Sequence, residues 1–231
     1  MTIIYRFLIA IFPIAVLMWF VYRKGDGKNI PIKQLKWAFG LGILSAFIAS
    51  FLADGLEIIG LYSPNPSTTM EILFHELFIA AFPEELAKMG MFCLLLKLYP
   101  CEKRIHMIVC MAFIGLGFAC IENMLYVIPQ GIGVGVMRAI FSVPDHFCYA
   151  IIMGYFFSYA RFSSNGKWKY YVVSLLLPMC FHWLNNSLVV PKGTENWGWY
   201  FCIHLVEVIL LLKWANWMIK NAKESEKQTI D

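Results

Sequence analysis

Charge is the scarcest commodity in this chain. Asp, Glu, Lys and Arg make up 15% of its 231 residues against 60% hydrophobic ones, and mean hydropathy is +0.64. That shortage excludes an ordinary soluble domain, whose surface has to stay largely polar. The few basic residues fall between apolar runs rather than forming a stripe, which argues against a nucleic-acid partner. No CxxC pair occurs, and Cys93, Cys110, Cys120, Cys148, Cys180 and Cys202 lie inside apolar runs. They read as small apolar residues, not as a disulfide or metal framework. No small-residue cleavage site follows the apolar N-terminus, so the first run is expected to remain as a membrane span. No internal repeat or low-complexity tract is evident.

What is present is a series of apolar runs near the roughly 20 residues a helix needs to cross a bilayer. Hydropathy and helix breakers give about seven spans, near 3–22, 36–61, 71–98, 106–128, 135–161, 169–190 and 197–219. The expected fold is therefore all-α and polytopic, one integral-membrane domain over 1–231, in contact with the lipid bilayer throughout. The third span is the least regular, because Glu71, His75 and Glu76 open it. The tail "KNAKESEKQTID" reads as solvated and frayed. Lys and Arg concentrate in "RKGDGKNIPIKQLK", "KLYPCEKRIH", "RFSSNGKWK" and the C-terminal tail, whereas "YSPNPSTT" and "IPQGIGVG" have none. Positive charge accumulates on the cytoplasmic side, so the N-terminus is expected outside and the C-terminus in the cytoplasm.

Against that background a few polar residues stand out, since ionisable groups inside a membrane are costly and mark function. The third span carries Glu84, Glu85 and Lys88; Lys88 is four residues after one acid and three after the other, within reach of both. The fourth span places Phe118, Glu122 and Tyr126 on one face at intervals of four. Glu122 has no cation within its own turns, so its partner must come from another helix. The fifth span supplies His146, eight residues before Gly154, and the sixth supplies His182 and Asn186 on a shared face. At about 1.5 Å per residue these groups lie in the outer half or near the midplane, where one water-filled cavity could gather them. Pro83, Pro144 and Pro178 precede them by one to four positions and each removes a helix hydrogen bond. Asp54, Glu57 and Arg138 are expected to form a separate structural network, and His204 with Glu207 to act in packing or hydrogen bonding.

Acids, histidines and an amide converging in a membrane suit two tasks. One is hydrolysis, with a glutamate activating water and His or Asn stabilising the oxyanion. A zinc version would take Glu122, His146 and His182 as ligands and leave a fourth place for water. The other is ion or proton transport through the same groups, although transporters usually carry two related halves. His75 and Glu76 fail to begin HExxH because Ile79 stands where the second histidine belongs. No serine sits in a Gly-x-Ser-x-Gly setting, and Asp54 and Asp145 lack the contexts of intramembrane aspartyl proteases.

The set EExxK (Glu84, Glu85, Lys88), FxxxExxxY (Phe118, Glu122, Tyr126), His146 with Gly154, and HxxxN (His182, Asn186), in this order, resembles the PrsW family of intramembrane proteases, distantly similar to the CAAX prenyl endopeptidases. The resemblance covers roughly 71–190. It implies that Glu84, Glu85, Lys88, Glu122, His146, His182 and Asn186 form the site. It implies an endopeptidase of a bacterial plasma membrane whose partner is a membrane-anchored protein, typically an anti-sigma factor cut near its extracytoplasmic side as the first step of regulated intramembrane proteolysis. The family is usually labelled as metalloproteases, and the CAAX relatives are also argued to use a glutamate-activated water alone. Either Glu84 or Glu85 would then be the base.

Overall fold

The computed structural model describes residues 2–163, 166–189 and 197–227. Among them there is no strand. The helices are α1 (Thr2–Lys24), α2 (Ile32–Ile58), α3 (Thr69–Glu76), α4 (Phe82–Leu98), α5 (Arg104–Gln130), α6 (Ile132–Ile140), α7 (Ser142–Phe162), α8 (Lys167–Val189) and α9 (Trp197–Lys227). The all-α membrane architecture is thus as the hydropathy indicates, with two expected spans broken. The stretch 71–98 is α3, a π-helical segment over Leu77–Ala81, and α4. Pro83 has no N–H for the Ile79 carbonyl, and its ring crowds that carbonyl, which favours a locally widened helix just before it. The stretch 135–161 is divided between α6 and α7 at Phe141.

Five segments are long and apolar enough to cross a membrane: Ile3–Lys24, Ile32–Ile58, Arg104–Gln130, Ile132–Phe162 and Gly198–Glu226. The other two expected spans are weaker by that measure for identifiable reasons. α4 has only 17 residues and carries Glu84, Glu85 and Lys88; α8 opens with Lys167 and Lys169 and later holds His182, Asn185 and Asn186.

Helices α5 and α7 form the centre, with α2, α1, α8 and α9 packed around them. In α5 every residue from Met107 to Cys120 is buried. Between membrane helices close backbone approach replaces the hydrophobic drive, so small residues sit at the crossings. A Cβ on Gly154 would lie 2.9 Å from Met111 Cβ and 3.1 Å from Ile108 Cα, which makes this glycine the seam between α7 and α5. Gly42 and Gly117 do the same for α2 and α5, each facing a backbone carbonyl of the other helix.

The expected frayed tail is instead helical through Lys227. Glu226 accepts a hydrogen bond from the Ile105 N–H at 2.9 Å, and Arg104 Nη1 donates to Ser225 at 3.4 Å. A carboxylate at the start of α5 satisfies an otherwise unpaired N–H and suits the helix dipole. Residues 228–231 of that tail lie outside the described residues.

Candidate active site

The interruptions that shorten the helices surround one cavity of about 900 Å³. Its wall takes residues from α2, α3, the π segment, α4, α5, α6, α7, α8 and α9, and includes Glu84, Glu122, His146, His182 and Asn186. Five of the seven residues singled out from the sequence therefore line it, and the other two, Glu85 and Lys88, lie directly behind.

The two adjacent glutamates diverge, as a 100° step per residue requires. Glu85 is fully buried. One of its oxygens accepts from Lys88 Nζ at 2.8 Å and from His182 Nδ1 at 3.0 Å, while its other oxygen is buried without a partner. Glu84 is the partner that reaches the cavity, with its side chain 13% exposed. Glu84 Oε2 lies 3.5 Å from Lys88 Nζ and 3.8 Å from His182 Nε2.

Lys88 is fully buried and donates in three directions, the third being His146 Nδ1 at 3.1 Å. An ammonium group has no acceptor, so His146 Nδ1 must carry the lone pair. The ring proton is then on Nε2, which donates to Glu122 Oε2 at 2.6 Å. Glu122 also forms an ion pair with Arg138 Nη2 at 2.8 Å. The partner expected from another helix is thus present twice over. The sequence groups Arg138 with Asp54 and Glu57, but α6 turns it inward to Glu122 instead.

The four-residue spacing of Phe118, Glu122 and Tyr126 now has a physical meaning. Lys88 Nζ sits 3.9 Å from the centroid of the Phe118 ring, and the Arg138 guanidinium sits 4.4 Å from that of Tyr126. Each aromatic faces one of two cations on either side of Glu122, where ring quadrupoles add attraction in place of water.

Four further side chains join the site without having been singled out for it. Asn185, not only Asn186, faces inward; it is buried and donates its amide to the Tyr149 hydroxyl. The Tyr149 ring stacks on His182, centroids 5.3 Å apart. His204 Nε2 bonds Asp145 Oδ2 at 2.9 Å and its ring stacks on Phe141, the hydrogen-bonding and packing role expected of it. A usable signal existed: Tyr149 and Asn185 each follow a site histidine by three residues, which puts them on the same helix face.

Single atoms of Glu84, Glu85, His146 and His182 lie within 4.8 Å of one another, a donor set of the right kind for a divalent metal. The carboxylates in it are the paired glutamates rather than Glu122, whose oxygen serves His146 and Arg138. The arrangement itself does not fit a metal. Lys88 Nζ already lies among three of the four donors, and both nitrogens of His146 are engaged. A dication would have to share that buried space with an ammonium group.

The family model described as "PrsW family intramembrane metalloprotease" matches residues 30–213. "Protease PrsW" of Oceanobacillus iheyensis is 30% identical over 217 residues, covering 92% of this chain and 94% of that protein. "Protease PrsW" of Geobacillus kaustophilus is 29% identical over 207 residues, 88% and 85% of the two chains. That of Bacillus subtilis is 29% identical over 197 residues, 84% and 85%. No solved structure matches.

Proposed function

Because the chain belongs to the PrsW family of intramembrane proteases, a multi-pass membrane peptidase family, we propose that it hydrolyses a peptide bond in a membrane-anchored protein, with Glu84 as general base. One observation carries the assignment: of the adjacent glutamates, only Glu84 reaches the cavity, beside His182 Nε2. A water held between Glu84 and His182 would give a proton to Glu84 as its oxygen attacks the scissile carbonyl carbon. The oxyanion so formed is stabilised by the amide of Asn186, four residues on along α8 and in the cavity wall, and by His182 when Nε2 carries a proton in addition to the Nδ1–H held by Glu85. Collapse breaks the C–N bond, and Glu84 returns its proton to the leaving amine. Glu85 keeps Lys88 and His182 in place from behind. Lys88 supplies the positive charge that such a cluster of carboxylates needs.

An N-terminus outside and a C-terminus in the cytoplasm, as the loop charges suggest, would put the cut toward the extracytoplasmic side. An anti-sigma factor in a bacterial plasma membrane is a substrate of fitting topology; the relatives are bacterial. The test is cleavage of a labelled single-span substrate by purified protein in liposomes, comparing wild type with Glu84→Gln, with and without a chelator and with added zinc. Cleavage that survives the chelator and disappears in Glu84→Gln is expected. Undiminished cleavage by Glu84→Gln sinks the assignment of the base, and loss on chelation restored by zinc sinks the metal-free chemistry.

A further inference from the structure

One cation that lines the cavity takes no part in that mechanism. Arg138 sits in the last turn of α6, a nine-residue helix that folds back after Gly131 ends α5 with a φ of 95°, a backbone angle that favours glycine. The guanidinium is held on three sides. Its Nη2 faces Glu122 at 2.8 Å, its Nε donates to Asn123 Oδ1 at 2.9 Å, and its plane rests against Tyr126. Asn123 is itself fully buried and donates to the Ala10 carbonyl at 2.7 Å. Helices α1, α5 and α6 therefore fix where this charge sits.

Its position matters because of what Glu122 does next. The same oxygen, Glu122 Oε2, makes the ion pair with Arg138 and accepts the hydrogen bond from His146 Nε2. His146 Nδ1 in turn accepts from Lys88, which holds Glu85. The result is one continuous chain of contacts from Arg138 through Glu122, His146, Lys88 and Glu85 to His182, in which the His146 ring joins two ion pairs, crossing α6, α5, α7, α4 and α8. Each link fixes the next: an ionised Glu122 can only accept, so His146 must present N–H on that side and a lone pair to Lys88. Arg138 is the one Lys or Arg within ion-pair distance of Glu122 among the described residues.

We propose that Arg138 is a positioning residue of this site: it holds the Glu122 side chain turned toward α7, and through it sets the tautomer of His146 and the place of Lys88 between the paired glutamates. Lysine cannot fully replace it, because an ammonium group lacks the planar fork that meets Glu122, Asn123 and Tyr126 together. The proposal rests on the proteolytic reading of the cavity, and two independent readouts separate the fates of the two.

The experiment compares wild type, Arg138→Gln and Arg138→Lys, purified in the same detergent, for kcat and KM on the single-span substrate and for the nitrogen-15 spectrum of the histidine rings. His146→Gln identifies the His146 signals. Arg138→Gln is expected to lower kcat by about 10–100-fold, the usual effect of removing an outer partner of a site histidine, with KM within about twofold. Arg138→Lys should fall between it and wild type. In wild type His146 should show one unprotonated Nδ1 and one protonated Nε2, and in Arg138→Gln a mixture of tautomers. Wild-type kcat in Arg138→Gln, a Lys variant no better than the Gln variant, or an unchanged His146 spectrum would each overturn the proposal. If wild type itself does not cleave, the proteolytic reading fails, and the His146 spectrum still decides the role of Arg138.

Discussion

The two ends of the central helices are built on opposite principles. At the closed end, α5 from Met107 to Gly117 and α7 from Ala150 to Tyr155 are buried without interruption. The same two helices then run into the open end, where Glu122 and His146 meet the cavity and three interruptions adjoin it: a π segment before α4, a reversal at Gly131 and a break at Phe141. Uninterrupted helices with glycine seams give a rigid base, whereas broken helices release backbone and let polar side chains from five helices converge. One end fixes the geometry and the other uses it, which is how a site on rigid elements stays precise. Mutations should therefore divide cleanly between loss of chemistry at the open end and loss of stability at the closed end, with Glu85 and Lys88 at the boundary affecting both.

The largest effect is expected at Glu84. Glu84→Gln should reduce cleavage by about 10²–10⁴-fold, the usual contribution of a positioned base, with thermal unfolding in detergent unchanged. Glu85→Gln should lose cleavage as well, and in addition lose about 3–5 kcal/mol of stability, because Lys88 is left buried with a weakened partner. The double variant Glu85→Gln with Lys88→Met should recover much of that stability and none of the activity. Equal stability of the Glu84 and Glu85 variants would remove the distinction between the exposed and the buried acid.

Next in size is the pair on α8. Asn186→Ala should lower kcat by about 10²–10³-fold if its amide faces the oxyanion, with little change in unfolding. Asn185→Ala removes the donor to Tyr149 and leaves that buried hydroxyl less satisfied, so it should cost about 1–3 kcal/mol in stability instead. Adjacent asparagines with exchanged outcomes would reverse their assignment.

A smaller effect tests the base itself. Gly154→Ala inserts a methyl group against Met111 and Ile108 and should cost about 1–3 kcal/mol in thermal unfolding. Gly133→Ala, on α6 where a Cβ would meet nothing within 4 Å, should be neutral or slightly stabilising. A similar cost at both would mean that the two ends are packed alike.

The sequence made part of this contrast legible and hid the rest. Apolar length, alternating loop charge and the rule that buried charge needs a partner were enough for the all-α membrane class and for a converging set of seven polar residues. Hydropathy averages over about twenty residues, so it could not see a π segment of five or a helix broken at a single Phe141. It also could not distinguish Glu84 from Glu85, because which of them meets water depends on where α8 brings His182. Arg138 escaped for a related reason: the reversal at Gly131 carries it back to α5, and only the fold decides whether an arginine pairs with Asp54 or with Glu122. The aromatic spacing around Glu122 was visible as a pattern, but its purpose needed the two cations in place.

The smallest effect concerns acid, and it sharpens the contrast by showing where a response to pH can arise. At the closed end, in the turn between α1 and α2, Asp26 accepts from Asn29 Nδ2 at 2.8 Å. That hydrogen bond, with Lys223, His106 and Lys103 nearby, holds its carboxyl below the ordinary aspartate value of 3.8. A carboxyl whose folded pKa is depressed contributes stability that is fully present above its unfolded value and is lost as pH falls through the folded one. The hydrogen bond from Asn29 and the two lysines should therefore hold this contribution until acid below about 3.8, whereas the part due to His106, 3.9 Å away, follows the charge on that ring. Asp26→Asn should cost less than about 1 kcal/mol, as expected for a partly exposed charge, and abolish that acid response, read as hydrogen exchange in the turn at 25–30. A change in kcat between pH 5 and 8 that persists in both Asp26→Asn and His106→Gln, which together remove the 3.9 Å pair at this turn, originates at the open end, whereas one that vanishes with either would mean that the closed end is not the inert frame its packing implies.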